Sequence, residues 1–266
     1  MIPLSHTTKV VSNEGNKGVF EIEALYPGYG VTLGNSLRRV LLSSLEGAAI
    51  THVKMKNVSH EFSGIPGVME DMLGIILNLK QLRFRVYSDE PQKAVVRVKG
   101  EKEVRASDFD FPAQVEVINK NAPIARLTDK NAELDMEITV AKGVGYQAAE
   151  SRKGGKEELG VMEIDSIYTP IQKVNYRVEQ MRVGDRTDFD RLIVDVETDG
   201  TMSPETAFWQ AAEILVKQFE IIRAGVTPEK TKVLDEKEQP EENAAGAEEK
   251  EDKPKKTKKA PAKKKK

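Results

Sequence analysis

The chain has 266 residues, with 41 Lys+Arg against 43 Asp+Glu, and its formal net charge of −2 hides a split: residues 229–266 hold 13 lysines and 10 acids, whereas residues 1–228 hold 28 basic and 33 acidic side chains. The absence of cysteine excludes a disulfide-stapled secreted fold and points to a reducing compartment. No uninterrupted apolar run exceeds three residues, far short of the ~20 a membrane helix needs, and the opening MIPLSHTTKV lacks a signal-peptide profile, so a soluble intracellular protein of one or two domains is expected.

In chain order, residues 19–26 read as a strand. Leu33, Leu37, Val40, Leu41 and Leu45 then fall at helical spacing and predict a helix over 33–45, with Thr32 as its N-cap and Gly47 as its stop. A strand over 50–56 precedes a second helix over 67–79, where Val68, Met72, Ile75, Ile76 and Leu79 form a stripe and Glu70 and Asp71 occupy the first turn. Apolar alternation is clearest at Leu82, Phe84 and Val86, at Leu134, Met136, Ile138 and Val140, and at Leu192, Val194 and Val196. Further strand candidates lie at 94–99, 114–118, 161–168 and 172–179. Strands this numerous and so seldom separated by helix argue against a βαβ array and predict an α+β fold with largely antiparallel sheet.

A third helix should start at Ser203 as cap, with Pro204 in its first turn and Glu205 at the positive dipole end, and should stop at Gly225. Its apolar surface is broad: Phe208, Ala211, Ala212, Leu215, Phe219 and Ile222 form one stripe, widened by Ala207, Ile214, Ile221 and Val216. Either a thick intramolecular core or a second subunit would cover such a face. Residues 229–266 are acidic and then lysine-rich, with nothing to build a core, so a disordered tail is expected.

A search for chemistry finds little. With no cysteine and only His6, His52 and His60, a nitrogen/sulfur metal site is not expected, and Gly64 stands where the second histidine of a zinc-protease helix would fall after His60 and Glu61. Gly143-Val144-Gly145-Tyr146 and Gly154-Gly155-Lys156 lack the remaining residues of nucleotide-binding loops and read as a hairpin tip or surface loop. Asp188 and Asp190, and Asp195 and Glu197, read as solvated strand faces, with pairing to distant groups left open. No catalytic, cofactor-binding or metal-binding residue is expected in the chain on its own.

The informative segment is Leu33-Gly34-Asn35-Ser36-Leu37-Arg38-Arg39-Val40-Leu41-Leu42-Ser43-Ser44. Adjacent residues diverge by ~100° around a helix, so Arg38 and Arg39 flank its inward face on different sides. They are either solvent arginines snorkelling over apolar surface or donor forks offered to a partner. This stretch resembles the most recognisable segment of the α subunit of bacterial-type RNA polymerase. HEFSGIPGVMEDMLGIILNLKQL (60–82), LTDKNAELDMEITVAKGVGY (127–146) and YTPIQKVNYRVEQMRVGDRTDFDRLIVDVETDGTMSPETA (168–207) follow in the family's order, and the likeness covers about 15–225.

The resemblance implies a discontinuous dimerisation domain (an antiparallel sheet plus two long helices) at 1–46 and 169–228, with an inserted β-rich domain at 47–168. It further implies a homodimeric scaffold in which one copy binds β and the other mainly β′, giving the α₂ββ′ core with ω, joined by σ in the larger assembly. Carried over residue by residue, Arg39, with Leu42 one turn on and Arg38 beside it, faces β; Lys80 and Ile164 face β′; and Leu33, Leu37, Phe208, Leu215, Phe219 and Ile222 face the second copy. Gly74 stands where the family often has a carboxylate, which weakens that helix locally. In the family, phosphodiester chemistry and its catalytic magnesium belong to the large subunits, so no cofactor is expected here and the isolated chain should not turn over nucleotides. Family members usually end in a small DNA-contacting helical domain; here 229–266 stand instead. The lysines of that segment (Lys255, Lys256, Lys258, Lys259, Lys263, Lys264, Lys265 and Lys266) could attract DNA without sequence preference, the alternative reading of the function. A bacterial cytoplasm, or synthesis within an organelle of bacterial descent, fits the lack of a transit segment, and no membrane partner is expected.

Overall fold

The computed structural model describes residues 8–58, 60–152 and 160–225. The expected disordered tail at 229–266, its lysines and the Gly154-Gly155-Lys156 segment all lie outside the described residues. In chain order the elements are β1 (Lys9–Glu14), β2 (Lys17–Leu25), α1 (Tyr29–Ser43), β3 (Glu46–Met55), α2 (Met72–Leu79), β4 (Phe84–Val86), β5 (Gln92–Lys99), β6 (Lys102–Arg105) and β7 (Val115–Val117). There follow β8 (Pro123–Leu127), β9 (Glu133–Val144), β10 (Tyr146–Gln147), β11 (Val161–Glu163), β12 (Ser166–Ile167), β13 (Ile171–Val183), β14 (Arg186–Thr198) and α3 (Pro204–Gly225). The fold is α+β, and all the strand pairings among the described residues are antiparallel.

Two four-stranded sheets organise the described residues, one ordered β1-β2-β14-β13 and the other β11-β3-β9-β5. Each has its own buried cluster. Phe20, Ile22, Leu192, Val194, Val196 and Val174 from the first sheet meet Leu37 and Leu41 of α1 and Ala207 and Ala211 of α3. Around the second, Val53, Met136, Ile138 and Val140 meet Met72, Ile75, Ile76 and Leu79 of α2. Strict alternation explains both: Leu134, Met136, Ile138 and Val140 are at most 1% exposed, and Asp135 and Glu137 on the other face pair with Arg97 and Lys93. The outer face of the first sheet is likewise a cross-strand lattice of charges, in which Arg191 reaches Glu21, Glu23 and Glu179 at 3.5–3.8 Å.

Helix ends depart most from expectation. The first helix begins at Tyr29, not 33, and Thr32 lies inside it, donating its hydroxyl to the Gly28 carbonyl. Gly28 precedes it at φ 87°, a left-handed conformation suited to glycine, and contributes no side chain to cap the helix. The helix stops at Ser44, and Gly47, expected as the stop, belongs to β3. The second helix begins at Met72, because Val68 makes an antiparallel bridge to Leu127 and Asp71 serves as the N-cap, accepting from the Gly74 N–H at 2.7 Å. Gly74 therefore sits in the first turn, where Asp71 caps its amide, and not in the helix interior. The third helix is capped as expected, by Ser203 Oγ accepting from the Thr206 N–H.

Gly143 is a strand residue, not a hairpin tip. It pairs with Gly47 across β9 and β3, and Tyr168 lies over this pair of glycines: a Cβ at Gly143 would come within 2.7 Å of the ring, and one at Gly47 within 1.8 Å of the Tyr168 carbonyl oxygen. Elsewhere the two clusters are tied by Arg85 of β4, which donates from Nε and Nη2 to the Thr201 carbonyl at 2.9 and 2.7 Å, just before α3 starts. Arg83 adds an ion pair to the nearly buried Asp199.

Candidate subunit interface

Helices α1 and α3 cover one face of the first sheet. Their close approach is set by small residues: a Cβ at Gly30 would come within 2.7 Å of Val178, one at Gly34 within 2.5 Å of Tyr176, and one at Gly18 within 2.6 Å of Pro204. Phe208 of α3 stacks on Phe20 of β2 with ring centroids 4.4 Å apart. The N-terminus of α1 is satisfied from a distance. The carboxylate of Asp190, on β14, accepts from the Gly28 N–H at 2.9 Å and the Gly30 N–H at 3.0 Å. Asp190 is therefore buried, in contrast to the solvated strand face expected of it. The signal was its parity, since Asp190 shares the even register of Leu192, Val194 and Val196.

The outward side of α1 carries Val31, Arg38, Arg39 and Leu42. Both arginines are exposed and make no side-chain hydrogen bond or ion pair with any described residue. Two uncommitted guanidinium groups beside an exposed leucine form a surface suited to a carboxylate-bearing partner with an apolar anchor.

On α3 the residues divide along its length. Pro204, Ala207 and Ala211 are buried and Phe208 and Leu215 half-buried, but every residue from Val216 to Gly225 is exposed. Phe219 and Ile222 are each 60% exposed, and Val216 and Ile221 are exposed beside them. Of the residues that the family likeness places at the second copy, Leu33, Phe208 and Leu215 straddle the intramolecular core, while Phe219 and Ile222 are uncovered. Leu37 is buried in its own chain's core and has little surface left for a second copy.

The residues expected to face β′ sit on the other cluster. Lys80, just past α2, is half-buried and lies 3.4 Å from Asp165, which also accepts from the Ala149 N–H at 2.9 Å. That backbone hydrogen bond, and next among the favourable influences the Lys80 charge, hold the Asp165 carboxyl below its ordinary value of 3.8. Ile164 is only 4% exposed and fills the core, so its own side chain presents nothing to a partner. What sequence reasoning missed nearby is Arg152, whose guanidinium donates to the Thr51 and Ile164 carbonyls at 2.9 Å and to Ser166 Oγ at 2.6 Å. Among the described residues no cluster of His, Asp and Glu could hold a metal ion, and no helix is long and apolar enough to cross a membrane.

Comparison with known proteins finds relatives over most of the chain. The family described as RNA polymerase Rpb3/RpoA insert domain matches residues 53–169. The chain is 47% identical over 237 residues to the DNA-directed RNA polymerase subunit alpha of Symbiobacterium thermophilum, covering 89% of this chain and 75% of that relative. It is 48% identical to the subunit alpha of Roseiflexus sp. over 80% of this chain and 66% of the relative, and 49% identical to that of Alkaliphilus oremlandii over 77% and 64%. The chain thus spans three quarters of the first of these relatives and about two thirds of the other two. With two sheet-centred cores, two helices laid over one sheet, and identity near one half across most of its length, the chain belongs to the DNA-directed RNA polymerase subunit alpha family.

Proposed function

We propose that this chain acts in transcription as a homodimeric assembly platform on which the large subunits of a bacterial RNA polymerase are gathered. In this reading residues 1–46 and 169–228 form the dimerisation domain and 47–168 the insert. The observation that carries it is the second half of α3, where ten residues from Val216 to Gly225 are exposed on all sides, Phe219, Ile221 and Ile222 among them. So short a helical segment is marginal in water on its own and is stabilised by covering its apolar side. A second copy supplies the cover by symmetry, because the same stripe faces itself across a two-fold axis.

Arg39 and Leu42, with Arg38 beside them, then dock on β, while Lys80, through its exposed surroundings and not through Ile164, meets β′. The family's phosphodiester chemistry, with its magnesium, falls to those large subunits. ω and σ join the assembled enzyme, and a bacterial cytoplasm is where it would work. The test is co-expression with β and β′, followed by capture and mass measurement. The chain alone should weigh as a dimer, and Arg39→Ala should keep that mass while weakening β capture by about tenfold or more, the usual scale for losing an arginine anchor. Undiminished capture would remove Arg39 from the β contact.

A second reading rests on the fourteen residues from Lys253 to Lys266, which hold nine lysines and no acid. They would bind DNA phosphates without reading bases, and deleting them should flatten the dependence of DNA affinity on salt.

A further inference from the structure

We propose that Asp190 is a positioning residue for the docking surface on α1, holding that helix wound and in register so that Arg38, Arg39 and Leu42 are presented together. The inference rests on the reading that this surface takes a large subunit, and it adds the group that sets the surface's geometry.

The argument begins with an imbalance inside α1. Its first six residues include Gly30 and Gly34, each less favourable to a helix than alanine. These glycines are required by packing, since a Cβ at either would meet Val178 or Tyr176 at 2.7 Å or less. The half of the helix that touches the sheet most closely is therefore also the half with the least intrinsic tendency to stay helical. Its start offers no local remedy: Gly28 has no side chain to cap the first turn, and no acidic residue lies in that turn. The remedy comes from the sheet. Asp190 Oδ2 takes both the Gly28 and the Gly30 amides, and its negative charge lies at the positive end of the helix dipole.

The corner beside Asp190 is closed by stacked side chains. Arg186, on the same strand, stacks its guanidinium over Phe189 at 5.0 Å and over Tyr26 at 5.6 Å, closing the corner through which the chain enters α1. Arg38 lies one turn beyond Gly34, so fraying that passes Gly34 reaches the docking residues directly. Asp190 touches no partner-facing residue; it acts through the helix.

The test compares Asp190→Asn, which keeps an oxygen acceptor, with Asp190→Leu, which has the same branching and no acceptor, in the full chain. Amide exchange at residues 28–34 reports the anchor, the dimer mass reports global integrity, and β capture reports the surface. Asp190→Leu should speed exchange by roughly 3- to 30-fold, the span expected for losing a helix cap, and should weaken β capture measurably, by up to that factor, with the dimer mass intact. Asp190→Asn should fall between it and the parent on both readouts. Equal behaviour of the two variants would mean that packing, not capping, is the role, and would overturn the inference. So would faster exchange with unchanged capture, or unchanged exchange in Asp190→Leu. Were Asp190→Leu to lose the dimer, Asp190→Asn alone would decide, by whether exchange and capture move together. Failure of the underlying reading would show separately, as full β capture by Arg39→Ala.

Discussion

The two buried clusters are built from the same materials and finished differently. Around the second sheet the apolar faces of β3, β5 and β9 are closed by α2 and by the surrounding strands, and Met72, Ile75, Met136, Ile138 and Val140 are fully buried. Around the first, α3 is longer than the sheet can cover. Only the first half of α3 is seated, and its second half keeps an apolar stripe in solvent. A completed core stabilises the chain that contains it, whereas an uncompleted one stores the same driving force for association. On the proposed reading, the first kind of core makes the chain self-sufficient and the second gives a second copy its place.

Replacing Phe219 and Ile222 together with aspartate should break this comparison most severely. Four carboxylates placed in one symmetric contact should weaken dimerisation by at least about 1,000-fold, or about 4 kcal/mol, measured by sedimentation across a concentration series. Amide exchange in β9 should stay slow in the same variant, since the closed core does not use the dimer; fast exchange there would show that the two cores stand or fall together. The converse substitution is Met136→Ala, in a side chain with no exposed surface. It should cost about 2–5 kcal/mol in chemical denaturation, because a cavity adds to the lost transfer energy, and should leave the dimer constant unchanged under native conditions.

The smallest effect expected is electrostatic. Asp165 ionises more readily in the folded protein than its ordinary value of 3.8, mainly through the Ala149 amide and then the Lys80 charge. A carboxyl whose folded value is depressed contributes its full stabilisation above the unfolded value and loses it as pH falls through the folded one. The Lys80–Asp165 contact should therefore be intact at neutral pH and weaken only below about pH 4, a shift that Asp165→Asn should abolish in an acid titration. Asp165 is partly exposed, so the shift should be modest.

Strands and cores were legible because period-two alternation survives in any tertiary setting: Leu134 to Val140 and Leu192 to Val196 read correctly from the letters alone. Helix starts were legible only where the cap is local. Ser203 is next to the helix it caps and was found; Asp190 is some 160 residues from Gly28 and Gly30 and was not, although its parity with Leu192 hinted at burial. Val68 looked like the first rung of an apolar helical stripe because a stripe and a bridge to Leu127 demand the same residue type. Arg38 and Arg39 were conspicuous as a pair, but only the fold shows that no described residue engages either of them. Ile164 shows the converse, since a position carried over from family likeness proved to be core.

Tyr168 and its bed of paired glycines bear on how such an architecture could have arisen. The chain leaves the helix-covered sheet near Glu46 and returns to it near Ile171, and the outgoing and returning strands touch where the Tyr168 carbonyl lies over Gly47. Everything between is an excursion with a pinched neck. Material could be gained, lost or exchanged beyond that neck without rethreading the sheet on which the helices rest, because the two ends already meet. The same pinch fixes both glycines, since any side chain larger than hydrogen at either would force Tyr168 off its bed.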